Sequence, residues 1–337
     1  MFKYAIRRLL FAIPTLLVIS FIIFALLDLA PSDPTASLPL TIPEEVREQI
    51  KESLGLGKPF HIRYLKWLEQ FMVNEPLNLI EQAWGIEIGN SADRLRVRSW
   101  ATRAPVVDLI ASRLPQTLIV IGVSYIVAIL IAVPIGVISA YKQYSIFDQI
   151  GTFVSMLGFS VPTFFTGTVA IVIFSVVLGW LPSIYDTTLV VKDFDSFLDQ
   201  IKQMIMPVMV LGLFNAAQLS RFMRSSMLDN LSQEYVRTAR AKGMSEKIVI
   251  LVHVLRNSMI PVVTVIALGL PATFAGAIIT EQIFRINGVG QLLIGAIDGA
   301  DIPTVQTVTF IFAILIVLFN LIADLLYGML DPRIRYD

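Results

Sequence analysis

Glu234-Tyr235-Val236-Arg237-Thr238-Ala239-Arg240-Ala241-Lys242-Gly243-Met244-Ser245-Glu246-Lys247, followed shortly by Arg256-Asn257-Ser258-Met259-Ile260-Pro261, is a charged island between two long apolar runs. Eight charged side chains fall between Met227 and Pro261. Each costs about 2.5–3.5 kcal/mol at a bilayer centre, so this stretch lies in water and not in a span. Ser232 is placed to cap a helix whose first turn holds Glu234, where a carboxylate complements the helix dipole. Val236 and Ala239 share one face, and Gly243 supplies the residue just past the helix end. Ser245 caps a second helix starting at Glu246, with Ile248, Leu251, Val252 and Leu255 as its apolar stripe. Helix, glycine turn, helix makes a compact knob able to pass rigid-body motion from a soluble partner to the flanking spans. The bland alternative is a solvated connector.

The rest of the chain is mostly membrane. Of 337 residues 55% are hydrophobic and 15% charged, against roughly 25% charged in ordinary soluble domains. Basic and acidic residues balance at 26 each, which argues against a nucleic-acid binder. With no cysteine, thiol catalysis, cysteine-ligated metals and disulfides are excluded. The two histidines, His61 and His253, are too few for most histidine metal sites and read as ordinary outer-segment and loop residues.

Lys3, Arg7 and Arg8 precede Leu9–Leu27, an apolar run of 19 residues closed by Asp28 and the turn Pro31-Ser32-Asp33-Pro34. It exceeds a signal-peptide core and no clean small-residue cleavage site follows, so it reads as an uncleaved first span with its N-terminus inside. A polar excursion over 30–115 follows, then apolar runs at 116–139, 147–179, 204–223, 260–280 and 306–328. The run 147–179 is one long helix or two short ones parted at Ser160-Val161-Pro162. Read as one, it puts Arg237, Arg240, Lys242, Lys247 and Arg256 on the same side as Lys3, Arg7 and Arg8, as positive-inside bias requires. Six spans result, with both termini cytoplasmic, and Pro162 kinks a long helix whose first turns lie near the inner surface. Three parts follow: residues 1–29 with the first span, an extracytoplasmic segment 30–115, and a five-helix core 116–337 holding the loop 224–259.

In the outer segment, Ile42-Pro43-Glu44-Glu45 opens a helix with Val46, Ile50 and Leu54 at four-residue spacing, and His61–Met72 predicts a second. Residues 74–104 read as irregular, with arginines at 94, 96, 98 and 103.

The run Glu234 to Gly243 closely resembles the coupling loop of permease subunits in binding-protein-dependent ABC importers, in the wording of the dipeptide and oligopeptide branch. The broader family opens this loop with Glu-Ala-Ala and reaches its glycine three residues later. Here that triplet is Arg237-Thr238-Ala239 and lacks the leading acid, a departure usual in the peptide branch. Similar to that branch too are Arg7-Arg8, Pro31-Ser32-Asp33-Pro34, Leu54-Gly55-Leu56-Gly57-Lys58-Pro59 with Tyr64-Leu65-Lys66-Trp67, and Ala104-Pro105-Val106-Val107-Asp108-Leu109-Ile110. So are Arg113-Leu114-Pro115-Gln116-Thr117-Leu118, Thr280-Glu281-Gln282-Ile283-Phe284, Asp324-Leu325-Leu326-Tyr327-Gly328 and Asp331-Pro332-Arg333-Ile334-Arg335. Segments 74–83 and 92–102 look like insertions.

The resemblance implies an all-α type I importer permease fold of six transmembrane helices in the plasma or inner membrane. It implies a homologous second permease, two cytoplasmic ATPase subunits that bind ATP and Mg, and an extracytoplasmic binding protein. The large outer segment matches the first permease type. Glu234, Tyr235, Arg237, Thr238, Ala239, Arg240, Lys242 and Gly243 would contact an ATPase. The chain itself would be a transport subunit for short peptides, not an enzyme, with oligosaccharides or another small solute as the alternative cargo.

Two glycine motifs are decoys. Gly57-Lys58 has Pro59 where a phosphate loop needs Ser or Thr, and Gly288-Val289-Gly290 reads as an outer turn. Polar residues within spans are candidates for the translocation path or gate. Asn215 and Gln218 lie three apart; Gly269, Ala272, Thr273, Gly276 and Thr280 form a small-residue stripe; Asn320, Asp324 and Tyr327 share a face. Helix packing competes with each of these readings, and for Asp324 an inner-end packing or gating contact is preferred to substrate binding. Glu281 reads as an interfacial side chain at the outer surface or a contact for the binding protein. No coupling-ion residues near the midplane and no pair of interrupted helices point to a secondary transporter, and no paired intramembrane aspartates, serine with a base or His-Glu-x-x-His helix points to an intramembrane hydrolase.

Overall fold

The computed structural model describes residues 2–29, 43–53, 57–89 and 94–330. They are helical: α1 Phe2–Leu29, α2 Glu44–Ser53, α3 Phe60–Glu69, α4 Glu75–Trp84, α5 Val106–Tyr141, α6 Ile146–Ser160, α7 Thr163–Ala170, α8 Phe194–Leu231, α9 Glu234–Ala241, α10 Glu246–Ile248, α11 Leu255–Phe284, α12 Val289–Asp298 and α13 Ile302–Leu330. Among the described residues the only β pairing is the isolated bridge Arg98–Pro105. Among the described residues five stretches are long and apolar enough to cross a bilayer, in α1, α5, α8, α10 through α11, and α13, and α6 with α7 makes a sixth when the bent pair is counted as one span. Six spans is the count that the resemblance to importer permeases implies.

The expected kink at Pro162 is a break. The chain bends by 103° between Ile146–Ser160 and Thr163–Val177. Val161 is extended (φ −88°, ψ 125°), because the ring of the following proline clashes with a helical residue before it. Its amide closes the last turn on Leu157 O, and Pro162 has no N–H to continue the ladder.

Residues 74–84 are also helical, contrary to the irregular reading of this region. α3 runs through a π turn, Gln70–Asn74, into α4, and the Glu75 amide reaches back five residues to Gln70 O. Pro76 sits at the start of α4, where its missing donor is tolerated. Ile50's side chain, Leu54 and the Pro31–Pro34 turn lie outside the described residues.

The chain forms two compact units. One comprises residues 1–10, 116–291 and 315–337. Its axis is α8, 38 residues and thus about 57 Å long, far more than a bilayer's apolar thickness. Asp193 and Ser196 form a reciprocal capping box at its start. α6, α7 and α11 pack on α8. Gly136 lets α5 approach α8 closely, since a Cβ there would lie 2.6 Å from Met223 Cβ. Arg8 and Asp324 pair at 3.1 Å in this unit, placing the start of α1 beside the end of α13.

The other unit comprises residues 11–115 and 292–314. Phe24, Phe60, Tyr64, Trp67, Phe71 and Phe310 form an aromatic ladder with centroids 5.1–6.4 Å apart, tying α1, α3 and α13 together. The arginine cluster is pinned. Arg94 pairs with Glu81 at 2.9 Å, while Arg96 pairs with buried Glu75 and with Asp108, both at 2.7 Å. Asp108 foremost, helped by Glu75, raises the Arg96 guanidinium above its already high range against the opposing effect of burial. Asp301 accepts from Ser99 Oγ, Trp100 N and Thr304 Oγ1, fixing the entry to α13.

Candidate functional site

The charged island folds as a knob. α9 ends at Lys242, and Gly243 adopts φ +74°, a left-handed conformation that glycine enters without a Cβ penalty. Gly243 N donates to Arg240 O and Met244 N to Ala239 O, the paired bonds of a Schellman motif. Arg240 reaches across this turn to Glu246 with bonds of 2.6 and 3.2 Å, joining the helices on its two sides. Glu246 raises the Arg240 guanidinium further above its ordinary value.

Two predicted caps differ in detail. Ser232 closes α8 instead of opening α9, its hydroxyl bonded to Asp229 O at 3.0 Å, and Gln233 takes the N-cap position. Ser245 occupies the N-cap of α10, but only its carbonyl is engaged, accepting from the amides of Ile248 and Val249.

The knob's inner face anchors it. Val236 and Ala239 are buried with Val137 and Ala140 of α5, Met223 and Met227 of α8, Val249, Ile250 and Val254, and Val262 of α11. Of the predicted stripe Leu255 packs against this core, while Ile248, Leu251 and Val252 are exposed and Val249, Ile250 and Val254 face the core in their place. A π turn over Val249–Val254 supplies the reason, because five-residue hydrogen bonding shifts the face a 3.6-residue period would bury.

Of the predicted contact residues, Glu234, Arg237, Thr238, Arg240, Lys242 and Gly243 are exposed together. Ala239 is an anchor, and Tyr235 is half-buried with its hydroxyl bonded to Asn230 Oδ1 at 2.9 Å.

The path candidates do not converge. Asn215 is buried and meets Thr273, whose hydroxyl lies 3.4 Å from Asn215 Oδ1; the Asn215 amide donates to Leu211 O and Thr273 to Gly269 O. This is packing between α8 and α11. Gly276 extends the same contact, with a Cβ there 3.1 Å from Leu211 Cδ1. Gln218 is exposed and does not share the Asn215 face; Asn320 is exposed, and Asp324 is engaged by Arg8. Tyr327's side chain lies outside the described set.

Glu281 is neither interfacial nor available to a partner. It is fully buried, accepting from Thr117 Oγ1 at 2.6 Å, Gly290 N at 2.7 Å and Gln291 N at 3.2 Å. Thr117 Oγ1 in turn accepts from Val289 N. The predicted turn Gly288-Val289-Gly290 is thus the entrance to α12, its first amides aimed at a carboxylate. Arg224 was also missed: Asp148 of α6, nearly buried, takes its guanidinium through two bonds of 2.6 and 2.8 Å. The available signal was ionisable residues at the ends of apolar runs, which require partners.

Residues 132–336 match the model of the family described as binding-protein-dependent transport system inner membrane component, and residues 1–121 match the model of its N-terminal part. An oligopeptide transport system permease protein of Bacillus subtilis is 40% identical over 337 residues, covering 100% of both chains. A di/tripeptide transport system permease protein of Pseudomonas aeruginosa is 36% identical, and a glutathione transport system permease protein of Salmonella paratyphi A 35%, each covering 100% of both chains. Among solved structures, an inward-facing methionine ABC transporter matches with TM-score 0.53 and 18% identity, covering 67% of this chain and 98% of its own. An amino acid ABC transporter matches with TM-score 0.51 and 11% identity over 66% and 94%. These two bear on the fold alone. Knob, spans and full-length relatives agree: the chain belongs to the binding-protein-dependent transport system inner membrane component family, as a membrane-spanning permease subunit whose ABC system hydrolyses ATP on separate subunits.

Proposed function

We propose that this permease imports short peptides, paired with a homologous second permease and served by an extracytoplasmic binding protein. The supporting observation is relatedness over the whole chain, at 35–40% identity, to permeases named for oligopeptides, di- and tripeptides and glutathione. In this reading the knob is cytoplasmic, as are both termini, and residues 30–115 lie outside. Glu234, Arg237, Thr238, Arg240, Lys242 and Gly243 meet an ATPase cleft, with Ala239 and Tyr235 holding the knob from behind. ATP and Mg bind the partner ATPases.

The geometry supports force transmission through this element. The Schellman turn and the Arg240–Glu246 pair make the knob one body, and its buried face engages α5, α8 and α11. Displacing it moves three spans rather than a loose loop. Cargo is tested by uptake into proteoliposomes holding the assembled transporter, with matching binding-protein affinities, for di-, tri- and longer peptides and for oligosaccharides. Peptide uptake is the expected result; sugar uptake without peptide uptake would falsify it.

A further inference from the structure

We infer that the peptide path runs over the elbow between α6 and α7, where an apolar cavity takes a peptide side chain and Arg221 takes the peptide's terminal carboxylate. This rests on the peptide-import reading and adds a site to it. A cavity of about 380 Å³ lies between α5, α6, α7 and α8, within the roughly 300–1,000 Å³ of small-molecule sites. Ile135, Leu157, Val169, Leu213 and Phe214 supply apolar wall, and none of the six path candidates read from the sequence lines it.

Membrane lipid would be the default filling of such a space, and the backbone argues against it. Val161 and Thr163, on either side of Pro162, both line the cavity. A helix that stops and restarts leaves terminal carbonyls and amides outside any ladder. Such backbone is not found against hydrocarbon; it occurs where it lines a wet cavity or is buried in protein. A broken span facing an open cavity is therefore a mark of a solute path.

Part of the lining is polar. The hydroxyls of Ser155 and Ser220, both lining it, bond at 3.0 Å. Beside Ser220 is Arg221, an exposed cation inside the apolar run 204–223. Its guanidinium lies 5.0 Å from the centroid of Phe159, whose ring stacks at 6.1 Å on Phe214 in the wall. Arg221 stands outside the lining and is linked to it through Phe159 and Phe214; a cation in an apolar run marks a functional position, and a guanidinium two ring contacts from an apolar wall complements an apolar residue that carries a free carboxylate.

The test uses the assembled transporter in proteoliposomes with its binding protein, comparing triglycine, trileucine and their C-terminal amides. Leu213 is half-exposed to the cavity, so a larger ring there enters the space without breaking helix contacts. Leu213→Trp should lower the trileucine-to-triglycine uptake ratio about tenfold, and Leu213→Ala should raise it. Val169→Trp, on the α7 wall, should act as Leu213→Trp does. Arg221→Gln should abolish the preference for free acids over amides, and Arg221→Lys should restore part of it. Ratios unchanged in both filling variants would overturn the inference while leaving peptide import standing, including the case where those variants only lose co-purified phospholipid. If the wild type takes up oligosaccharides and neither tripeptide, the peptide reading fails and this inference goes with it.

Discussion

Glu281 offers a graded test of how α12 is held. Its carboxyl group takes one hydroxyl and two backbone amides, and a Cβ on Gly288 would come within 2.3 Å of it. Glu281→Gln keeps the shape. In its best orientation the amide oxygen serves Gly290 and Gln291, and the NH₂ group donates to Thr117 Oγ1, which already accepts from Val289. The Thr117 proton then has no acceptor in this cluster and the charge assistance is lost, a cost of about 1–3 kcal/mol. Glu281→Ala orphans two buried amides as well as leaving a void, so about 3–5 kcal/mol is expected. Gly288→Ala should resemble Glu281→Ala, because the added carbon must displace the carboxyl group. Thermal unfolding in detergent gives the ranking, and hydrogen exchange at residues 288–291 localises it. The reasoning fails if Gln and Ala variants lose equal stability, or if neither raises exchange at the α12 entrance.

Three further outcomes are expected. Gly243→Val meets no steric obstacle, yet must hold a β-branched residue at φ +74°, at about 1–2 kcal/mol; membrane insertion should persist while transport per ATP hydrolysed collapses, and normal coupling ratios would contradict the knob's role. Arg96→Met leaves the buried Glu75 carboxylate without its partner, at about 3–5 kcal/mol, so limited proteolysis between residues 70 and 105 should accelerate; unchanged cleavage would show the pair to be dispensable. Because the chain has no native cysteine, Lys242→Cys and Glu69→Cys can be labelled singly with an impermeant thiol reagent. Reaction of Glu69→Cys from outside and of Lys242→Cys only after permeabilisation is expected, and the opposite pattern would invert the proposed orientation.

Much of this architecture was legible along the chain because lipid is an undemanding solvent to read. Apolar runs and the basic residues flanking them locate the spans, and a segment with eight charges in the window Met227–Pro261 has to leave the bilayer. Gly243 was legible for a local reason, since a helix ended by a left-handed residue selects glycine. Faces and partners were less accessible. Three of the four residues read as the stripe after Ser245 are exposed, because a π turn departs from the 3.6-residue period, and the same kind of turn concealed the helical run through Pro76.

The membrane class, the spans, the charged knob and the glycine that ends its first helix were determined by sequence alone, since each depends on composition or on neighbours a few residues away. Only the tertiary structure decided that Glu281 is a buried acceptor for α12, that Asn215 and Thr273 pack together, and that the sixth span breaks at 103° around a cavity. These depend on groups as far apart as Thr117 and Glu281, 164 residues, brought to 2.6 Å. A polar side chain within an apolar run must find a partner, but nothing in its local sequence says which one.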